Sequence, residues 1–310
     1  MRALEAYRKA DPLLLLHGLA VTQAVADPEN RFLRAEALQT LAAKLHSAMM
    51  MCNFQNEIIV RPEGIFVAVS DILMESSHTN IYFKSSGVLL ENQGEQFIKV
   101  LRRLNIEVET MVDVGANFGE ISLSLARAFP NARILAIEPS SDNLNVFVRN
   151  KSVQKFSTQN IQIIQMAVSD KAEVASIQRG ANPMSRILPA SKQDRTESVQ
   201  CERLDTLFDL HGIQKADFVK IDVEGHEPKL KEALVALGNR VRCYLIEFSQ
   251  FAPFEDYLSL AAVLLDLRFK CYDLDATTNL MTTDDIARHL RVAFASSKIA
   301  VSNLWFIAEA

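Results

Sequence analysis

Apolar and polar positions follow three rhythms along the chain. Up to about residue 52 the pattern is helical: Leu33, Ala37, Leu38, Leu41 and Leu45 recur three and four residues apart and form one apolar stripe. Pro28 and Asn30 mark a turn before that helix. Between residues 57 and 91 the rhythm shortens. Residues 57–60, 65–69 and 80–83 read as brief strands, separated by Pro62-Glu63-Gly64 and Ser85-Ser86-Gly87. From Asn92 onward strand-like and helix-like runs alternate, which implies parallel strands joined by helical crossovers.

In that last region the pattern predicts a helix over 94–105, a strand at 111–114, a helix over 118–128 and a strand at 133–138. A helix over 141–150 and a strand at 161–167 come next. Residues 174–178 and 198–202 read as a hairpin inserted into the wind. A strand at 218–222, a helix over 228–237 and strands at 241–248, 269–274 and 303–307 complete the series, with a helical stretch at 284–290 before the final strand. That final strand is expected to insert antiparallel. The reading is a doubly wound α/β domain over residues 91–310, preceded by a helical and short-strand extension over 1–90.

Composition narrows the function classes. Hydrophobic residues make up 49% and charged residues 23% of the 310, enough apolar material for a sizeable core. A net charge of −5 argues against a generally basic nucleic-acid binder. Cys52, Cys201, Cys243 and Cys271 form no CxxC pair and have no histidine cluster beside them, so they are expected as buried thiols rather than zinc ligands or disulfides. Residues 13–25 are apolar but interrupted by His17 and Gln23, and Glu5 and Asp11 spoil a basic leader. The stretch is too short for a bilayer, so a cytoplasmic protein without a membrane span is expected.

The central chemical signal is the segment from Val112 to Glu120, where a short apolar strand runs into a glycine turn and then an amphipathic helix. Gly115 and Gly119 permit a sharp turn and close approach of a ligand to the main chain. In open α/β sheets the ligand crevice lies at the carboxyl ends of the strands, where this turn falls. Glu138 ends the next strand, 23 residues after Gly115, where a carboxylate can accept hydrogen bonds from two ribose hydroxyls. Nicotinamide dinucleotides and S-adenosylmethionine both carry such a ribose. A dinucleotide site asks for G-x-G-x-x-G, and here the turn reads Gly-Ala-Asn-Phe-Gly. A carboxylate nearby, Asp113, is unwelcome to a pyrophosphate and suits a cationic sulfonium, which favours S-adenosylmethionine.

These pieces resemble the FkbM family of class I S-adenosylmethionine-dependent methyltransferases. The resemblance rests on Val-Asp-Val-Gly-Ala-Asn-Phe-Gly at 112–119, Ala-Ile-Glu-Pro-Ser at 136–140, Ala-Val-Ser-Asp at 167–170, Arg-Leu-Asp-Thr-Leu at 203–207 and Val-Lys-Ile-Asp-Val-Glu-Gly-His-Glu at 219–227. It covers about residues 110–250 and leaves the first 90 outside. It implies a Rossmann-like, mostly parallel seven-stranded sheet. It also implies that Gly115, Asn117 and Gly119, with Asp113, shape the pocket around the methionine part. Glu138, beside Pro139, would bind the ribose, and Asp170 would bind the adenine amine with Val168 or Ser169 flanking the ring. Asp222 would sit where cofactor and acceptor meet. The acceptor class implied is a hydroxyl on a small molecule or saccharide, and the N-terminal extension offers a surface for a homo-oligomer.

Residues 220–227 also read on their own chemistry. Lys220 and Asp222 share one face of a strand, and Gly225 loosens the backbone so that Glu224, His226 and Glu227 reach the rim. If the acceptor is a hydroxyl, a base must take its proton, and Asp222, His226 and Glu224 are the candidates. The bland alternatives are a Lys220–Asp222 ion pair and a histidine that merely starts a helix. Asp222, Glu224 and Glu247 could bind a divalent cation, although their spacing does not demand one and no metal is expected. Ser185 and the basic residues Arg179, Arg186, Lys192 and Arg195 of the inserted hairpin border the expected acceptor pocket, as a basic rim or a solvated loop. Two other functions stay open: a nicotinamide-dependent oxidoreductase and a catalytically idle cofactor-binding scaffold.

Overall fold

A computed structural model describes residues 58–60, 67–69, 91–152, 154, 156–178, 196–296 and 301–309. The chain divides into two compact units, Met1–Asn92 and Gln93–Ala310. In the first, β1 (Ile58–Val60) pairs antiparallel with β2 (Val67–Val69), with Ile58 opposite Val69. The helix expected before residue 52 and the strand expected at 80–83 lie outside the described residues.

The second unit takes in all but the first two residues of α1 (Glu91–Arg103), whose Phe97, Ile98 and Leu101 are buried while Arg102 and Arg103 occupy the last turn. Then follow β3 (Thr110–Val114), α2 (Glu120–Ala128), β4 (Arg133–Ile137), α3 (Ser141–Ser152) and β5 (Ile161–Ile164). Three strands form a separate small sheet: β6 (Ala167–Val168), β7 (Glu173–Gln178) and β8 (Thr196–Glu202). Next come α4 (Leu204–Leu210), β9 (Phe218–Ile221), a 3-10 turn at Glu227–Leu230, α5 (Lys231–Leu237) and β10 (Cys243–Ser249). The last elements are α6 (Phe254–Asp266), β11 (Phe269–Tyr272), β12 (Asn279–Leu280), α7 (Thr283–Ser296) and β13 (Val301–Ala308).

The main sheet runs β12-β11-β13-β10-β9-β3-β4-β5. Strands β5, β4, β3, β9 and β10 are mutually parallel, and β13 enters antiparallel between β10 and β11. The doubly wound, mostly parallel architecture expected from the pattern is therefore present. Residues Met111 to Val114 of β3 and all four of β9 are buried, as strands covered on both faces must be. From β3 the chain winds outward through β4 and β5, then returns to β9 on the other side of β3. That reversal is a topological switch point, and it opens a crevice at the carboxyl ends of β3 and β9. At the amino-terminal end of β9, Phe218 stacks on Trp305 at 5.5 Å between ring centroids; Trp305 also meets the edge of Phe97 and donates its indole N–H to the Leu274 carbonyl.

Several elements differ from the sequence pattern. The sheet has eight strands rather than seven, because the two-residue β12 extends its edge. The single strand expected at 161–167 is two: β5 stays in the main sheet while β6 leaves to pair with β8. Two helices were not anticipated, α4 and α6. The first is only seven residues long, too brief to show a period, yet the second buries Tyr257, Leu260, Ala261 and Leu264 at clear helical spacing. The expected inserted hairpin is present as β7 and β8, with Glu173 opposite Cys201.

Candidate active site

Three residues of the turn after β3 adopt left-handed backbone: Gly115 (φ 78°), Asn117 (φ 51°) and Gly119 (φ 83°). At two of them a side chain would collide with its surroundings. A Cβ on Gly115 would lie 1.8 Å from the Asp222 carbonyl oxygen, and one on Gly119 would lie 2.0 Å from the Phe147 ring. The turn is pinned from three sides. Gly115 and Ala116 donate their amides to the Ile137 carbonyl at 2.9 and 3.0 Å. Lys220 Nζ donates to the Gly115 carbonyl at 3.1 Å, and Asn117 donates its amide to Glu138 Oε2 at 2.9 Å.

Glu138 is almost wholly buried at the end of β4. Its Oε1 accepts from the Ser140 amide at 2.9 Å and from Asn143 Nδ2 at 3.1 Å. Among the described residues Oε2 takes the Asn117 amide, and the second lone pair of that oxygen is suited to a ligand hydroxyl. Burial pushes the carboxyl up to about 7, against the pull of the Ser140 and Asn117 amides.

Under the turn runs a charged line. Lys220 Nζ sits 3.0 Å from Asp222 Oδ2 and 3.8 Å from Asp113 Oδ1, and Ser122 Oγ donates to Asp113 Oδ2 at 2.6 Å. Burial works against the Lys220 ammonium, but Asp222 and Asp113 outweigh it and hold the lysine protonated, above its ordinary value. Asp113 is buried beneath the turn and has no surface on the cleft. Its charge therefore faces Lys220, so the sequence argument for a cationic ligand does not act through direct contact. The ion pair between Lys220 and Asp222 is real, and Asp222 lines the cleft as well.

After β9 the loop displays Asp222, Glu224 and His226 towards the same cleft, an open volume of about 580 Å³ that Glu138, Pro139 and Asn117 also line. Ser169 and Asp170 stand behind it: Ser169 Oγ donates to Asp170 Oδ1 at 3.1 Å and lies 3.0 Å from His226 Nε2. With the hydroxyl proton given to Asp170, Nε2 carries the histidine proton and Nδ1 keeps a lone pair. Burial lowers the His226 pKa, so the ring is neutral near pH 7. Glu247 is raised well above the usual carboxylate range by burial and by the nearby charges of Asp222, Glu224 and Glu227. Among the described residues no group of three or more His, Cys, Asp or Glu is placed to hold a metal ion. Arg179, Ser185, Arg186, Lys192 and Arg195 lie outside the described residues. Cys201, Cys243 and Cys271 are buried and free.

The structure thus gathers Gly115, Asn117, Glu138, Pro139, Asp222, Glu224 and His226 around one cleft and keeps Asp113 and Gly119 beneath it. Three features escaped the sequence reading. Asn143 and Met166 line the cleft, and Lys220 reaches the Gly115 carbonyl. Only Asn143 left a signal, as a polar residue in the first turn of the helix after Glu138.

A model of the methyltransferase FkbM domain matches residues 113–288. The chain belongs to the FkbM methyltransferase family. S-adenosylmethionine is its methyl donor. No curated protein matches this FkbM methyltransferase in sequence. Among solved structures, the METTL16 methyltransferase domain is similar at 11% identity and a TM-score of 0.43, over 92% of this chain and 97% of that one. The precorrin-6y C5,15-methyltransferase of Geobacter metallireducens GS-15 is similar at 13% identity and a TM-score of 0.38, over 68% and 86%. The plantazolicin methyltransferase BpumL, in complex with a desmethyl-plantazolicin analogue and S-adenosylhomocysteine, is similar at 10% and 0.39, over 73% and 88%. At such scores the likeness carries no argument about substrate. Among the described residues of the FkbM methyltransferase, no helix is long and apolar enough to cross a membrane.

Proposed function

We propose that this methyltransferase methylates a hydroxyl oxygen on a small molecule or saccharide. The observation that carries the reading is the meeting of two groups on one cleft: Glu138, with an oxygen lone pair suited to a ribose hydroxyl, and the Asp222–His226 loop, with a neutral histidine and a carboxylate. Glu138, Asn117 and Asp222 line the cleft with acceptors that suit a ligand carrying ribose hydroxyls and a cationic centre, so the residues present fit the donor. When bound, S-adenosylmethionine supplies an electrophilic methyl group on a sulfonium. The chain's own tasks are then alignment, exclusion of water and removal of the acceptor's proton.

In this reading the Gly115–Asn117 turn and Gly119 hold the methionine part in place. Glu138 and Pro139 hold the ribose, and Val168, which lines the cleft, flanks the adenine with Ser169 and Asp170 behind it. His226 Nδ1 takes the hydroxyl proton, with Asp222 and Glu224 beside it. Lys220 holds Asp222 in place, which reconciles the ion pair with a place at the acceptor end. The boundary between the two compact units supports a catalytic domain over 91–310 with an extension over 1–90. The free buried thiols support a cytoplasmic setting.

The test has two stages. Isothermal titration with S-adenosylmethionine, S-adenosylhomocysteine and NAD comes first, on the wild type and on Glu138→Ala. Saturable binding of both sulfur ligands, lost in the variant and absent for NAD, is expected, and binding of NAD alone overturns the reading. Transfer of a tritiated methyl group to a panel of polyols, phenols and saccharides follows. Turnover confined to hydroxylated acceptors and lost in Asp222→Ala or His226→Ala is expected. Turnover untouched in both variants removes the assignment of the acceptor end.

A further inference from the structure

The loop that displays Asp222, Glu224 and His226 is built on an unusual backbone. Glu224 and Gly225 are both left-handed, with φ of 57° and 96°. Glycine adopts such a φ freely, but a glutamate does so only where the surroundings over-determine it. Gly225 has no room for a side chain, since a Cβ there would lie 2.6 Å from the Phe251 Cβ. That contact limits the space, but it does not say what draws the chain into the turn.

What draws it in is Glu227, the first residue of the 3-10 turn. Its carboxylate is buried, 1% exposed, and it does not line the cleft. Val223 donates its amide to Oε1 at 2.8 Å, and Gly225 donates its amide to Oε2 at 3.0 Å. Tyr257 of α6 donates its hydroxyl to Oε2 at 2.8 Å, and that hydroxyl lies 3.0 Å from Ser249 Oγ at the end of β10. Ser249 Oγ in turn accepts the Phe251 amide at 3.3 Å. No lysine or arginine pairs with Glu227 among the described residues, and the charges of Asp222 and Glu247 face it instead. Burial pushes its carboxyl up to about 7, against the Tyr257 hydroxyl and the backbone amides. A carboxylate without a counter-cation is an expensive way to fill a core. Its two oxygens, at fixed separation, are what a loop needs if two amides either side of Glu224 must be held at once.

We propose that Glu227 is the positioning residue of methyl transfer: through the amides of Val223 and Gly225 it sets the loop that carries Asp222, Glu224 and His226, while Tyr257 and Ser249 anchor its carboxylate to α6 and β10. The proposal rests on the reading of that loop as the acceptor end of the site. Glutamine cannot take over the role. With its carbonyl in the place of Oε2, its NH2 faces the Val223 N–H, donor against donor. Tyr257→Phe, by contrast, removes one donor and keeps both amides bonded.

The experiment uses the full chain with Glu227→Gln, Tyr257→Phe and, as a control on α6, the exposed Glu255→Gln. Amide hydrogen exchange over residues 222–226 is read first, without any acceptor, with β3 and β10 as internal references. Exchange at least about tenfold faster over 222–226 alone is expected for Glu227→Gln, the loss of roughly one hydrogen bond's worth of protection. Unchanged exchange in that loop overturns the brace, and acceleration throughout the sheet reduces Glu227 to a core residue. With an acceptor from the tritium screen, kcat is expected to fall about 100-fold in Glu227→Gln, the scale of a misplaced reacting group. Affinity for S-adenosylhomocysteine should change less than about threefold, and Tyr257→Phe, which keeps both amides bonded, should lose only about fivefold in kcat. Equal losses in kcat and in S-adenosylhomocysteine affinity overturn the positioning role. Absence of S-adenosylhomocysteine binding by the wild type would overturn the reading of the site and leave the exchange result to decide the brace.

Discussion

Two turns follow neighbouring parallel strands at the switch point, and they are made in different ways. The turn after β3 takes its shape from what it lacks. At Gly115 and Gly119 a single Cβ would strike the Asp222 carbonyl or the Phe147 ring. The loop after β9 takes its shape from what it gains, two amides received by one buried carboxylate. Steric exclusion forbids a side chain at these two positions at any pH, while Glu138 and Lys220 hold the rest of the turn. Hydrogen bonding to Glu227 depends on Tyr257 and Ser249, which belong to other elements. The difference suits the division of labour proposed for the cleft: a constant seat for the donor and a tunable one for the acceptor.

The sharpest way to break the comparison is Gly115→Ala. The new methyl meets backbone rather than the flexible end of a side chain, and the φ of 78° is itself hostile to alanine. A loss of about 4 kcal/mol or more in stability is expected, from backbone strain and overpacking together. S-adenosylhomocysteine binding should disappear with it. Thermal unfolding and titration calorimetry check this, and wild-type affinity in the alanine variant would sink the steric account.

This contrast also decides what the sequence could reveal. A demand for positive φ is written directly as glycine, so the turn at 115–119 and the carboxylate that ends β4 were readable from spacing alone. The alternation of strands and helices was readable for the same reason, since burial imposes its period on each element. Contacts between distant segments leave no such mark. Nothing in Asp113's neighbourhood announces that Lys220 will meet its charge from the adjacent strand and take it away from the cleft. Nothing in Glu227's motif announces Tyr257. The break between β5 and β6 is hidden inside a run that is apolar throughout, because leaving a sheet requires no change of composition. α6 is a different case: its period was present and passed over.

Lys220 joins the two turns, since it donates to the Gly115 carbonyl and pairs with Asp222 and Asp113. Lys220→Met is therefore expected to disturb both. It leaves a wholly buried Asp113 without its cation, a loss of about 3 kcal/mol. Adding Asp113→Asn should recover part of it, because the stranded charge goes too. Chemical denaturation of the two single variants and the double variant reads the coupling. Strict additivity would show that Lys220 and Asp113 do not act on one another.

Glu138 offers a test by pH. Its folded carboxyl lies near 7, above the ordinary 4.5, so the folded state holds the proton more tightly than the unfolded one. The associated stability is fully present below about 4.5 and is lost as pH rises through about 7, up to roughly 3 kcal/mol for a shift of this size. Glu138→Gln keeps a neutral group at every pH. Relative to wild type it should gain stability between pH 5 and pH 8, read as converging or crossing unfolding midpoints. Flattening will be partial, because Glu227 is raised to the same range and remains in the variant. Parallel curves for the two proteins would remove Glu138 as a source of the slope.

The smallest expected effect falls on Ser169, behind the second loop. Its hydroxyl has one proton, and giving it to Asp170 obliges His226 to donate from Nε2. Ser169→Ala removes that partner without creating a cavity larger than one oxygen and without touching the Glu227 brace. The ring then keeps its place on the loop but loses the bond that fixes its tautomer and angle. A fall of about threefold in kcat is expected, near the lower end of one neutral hydrogen bond. Nitrogen-15 chemical shifts of His226 should move from a single Nε2-protonated form in the wild type to a mixture in the variant. If the shifts stay those of one tautomer and turnover is unchanged, the histidine is oriented by the loop alone. The second turn would then need no help from the Ser169–Asp170 side, and Glu227 would be its sole organiser.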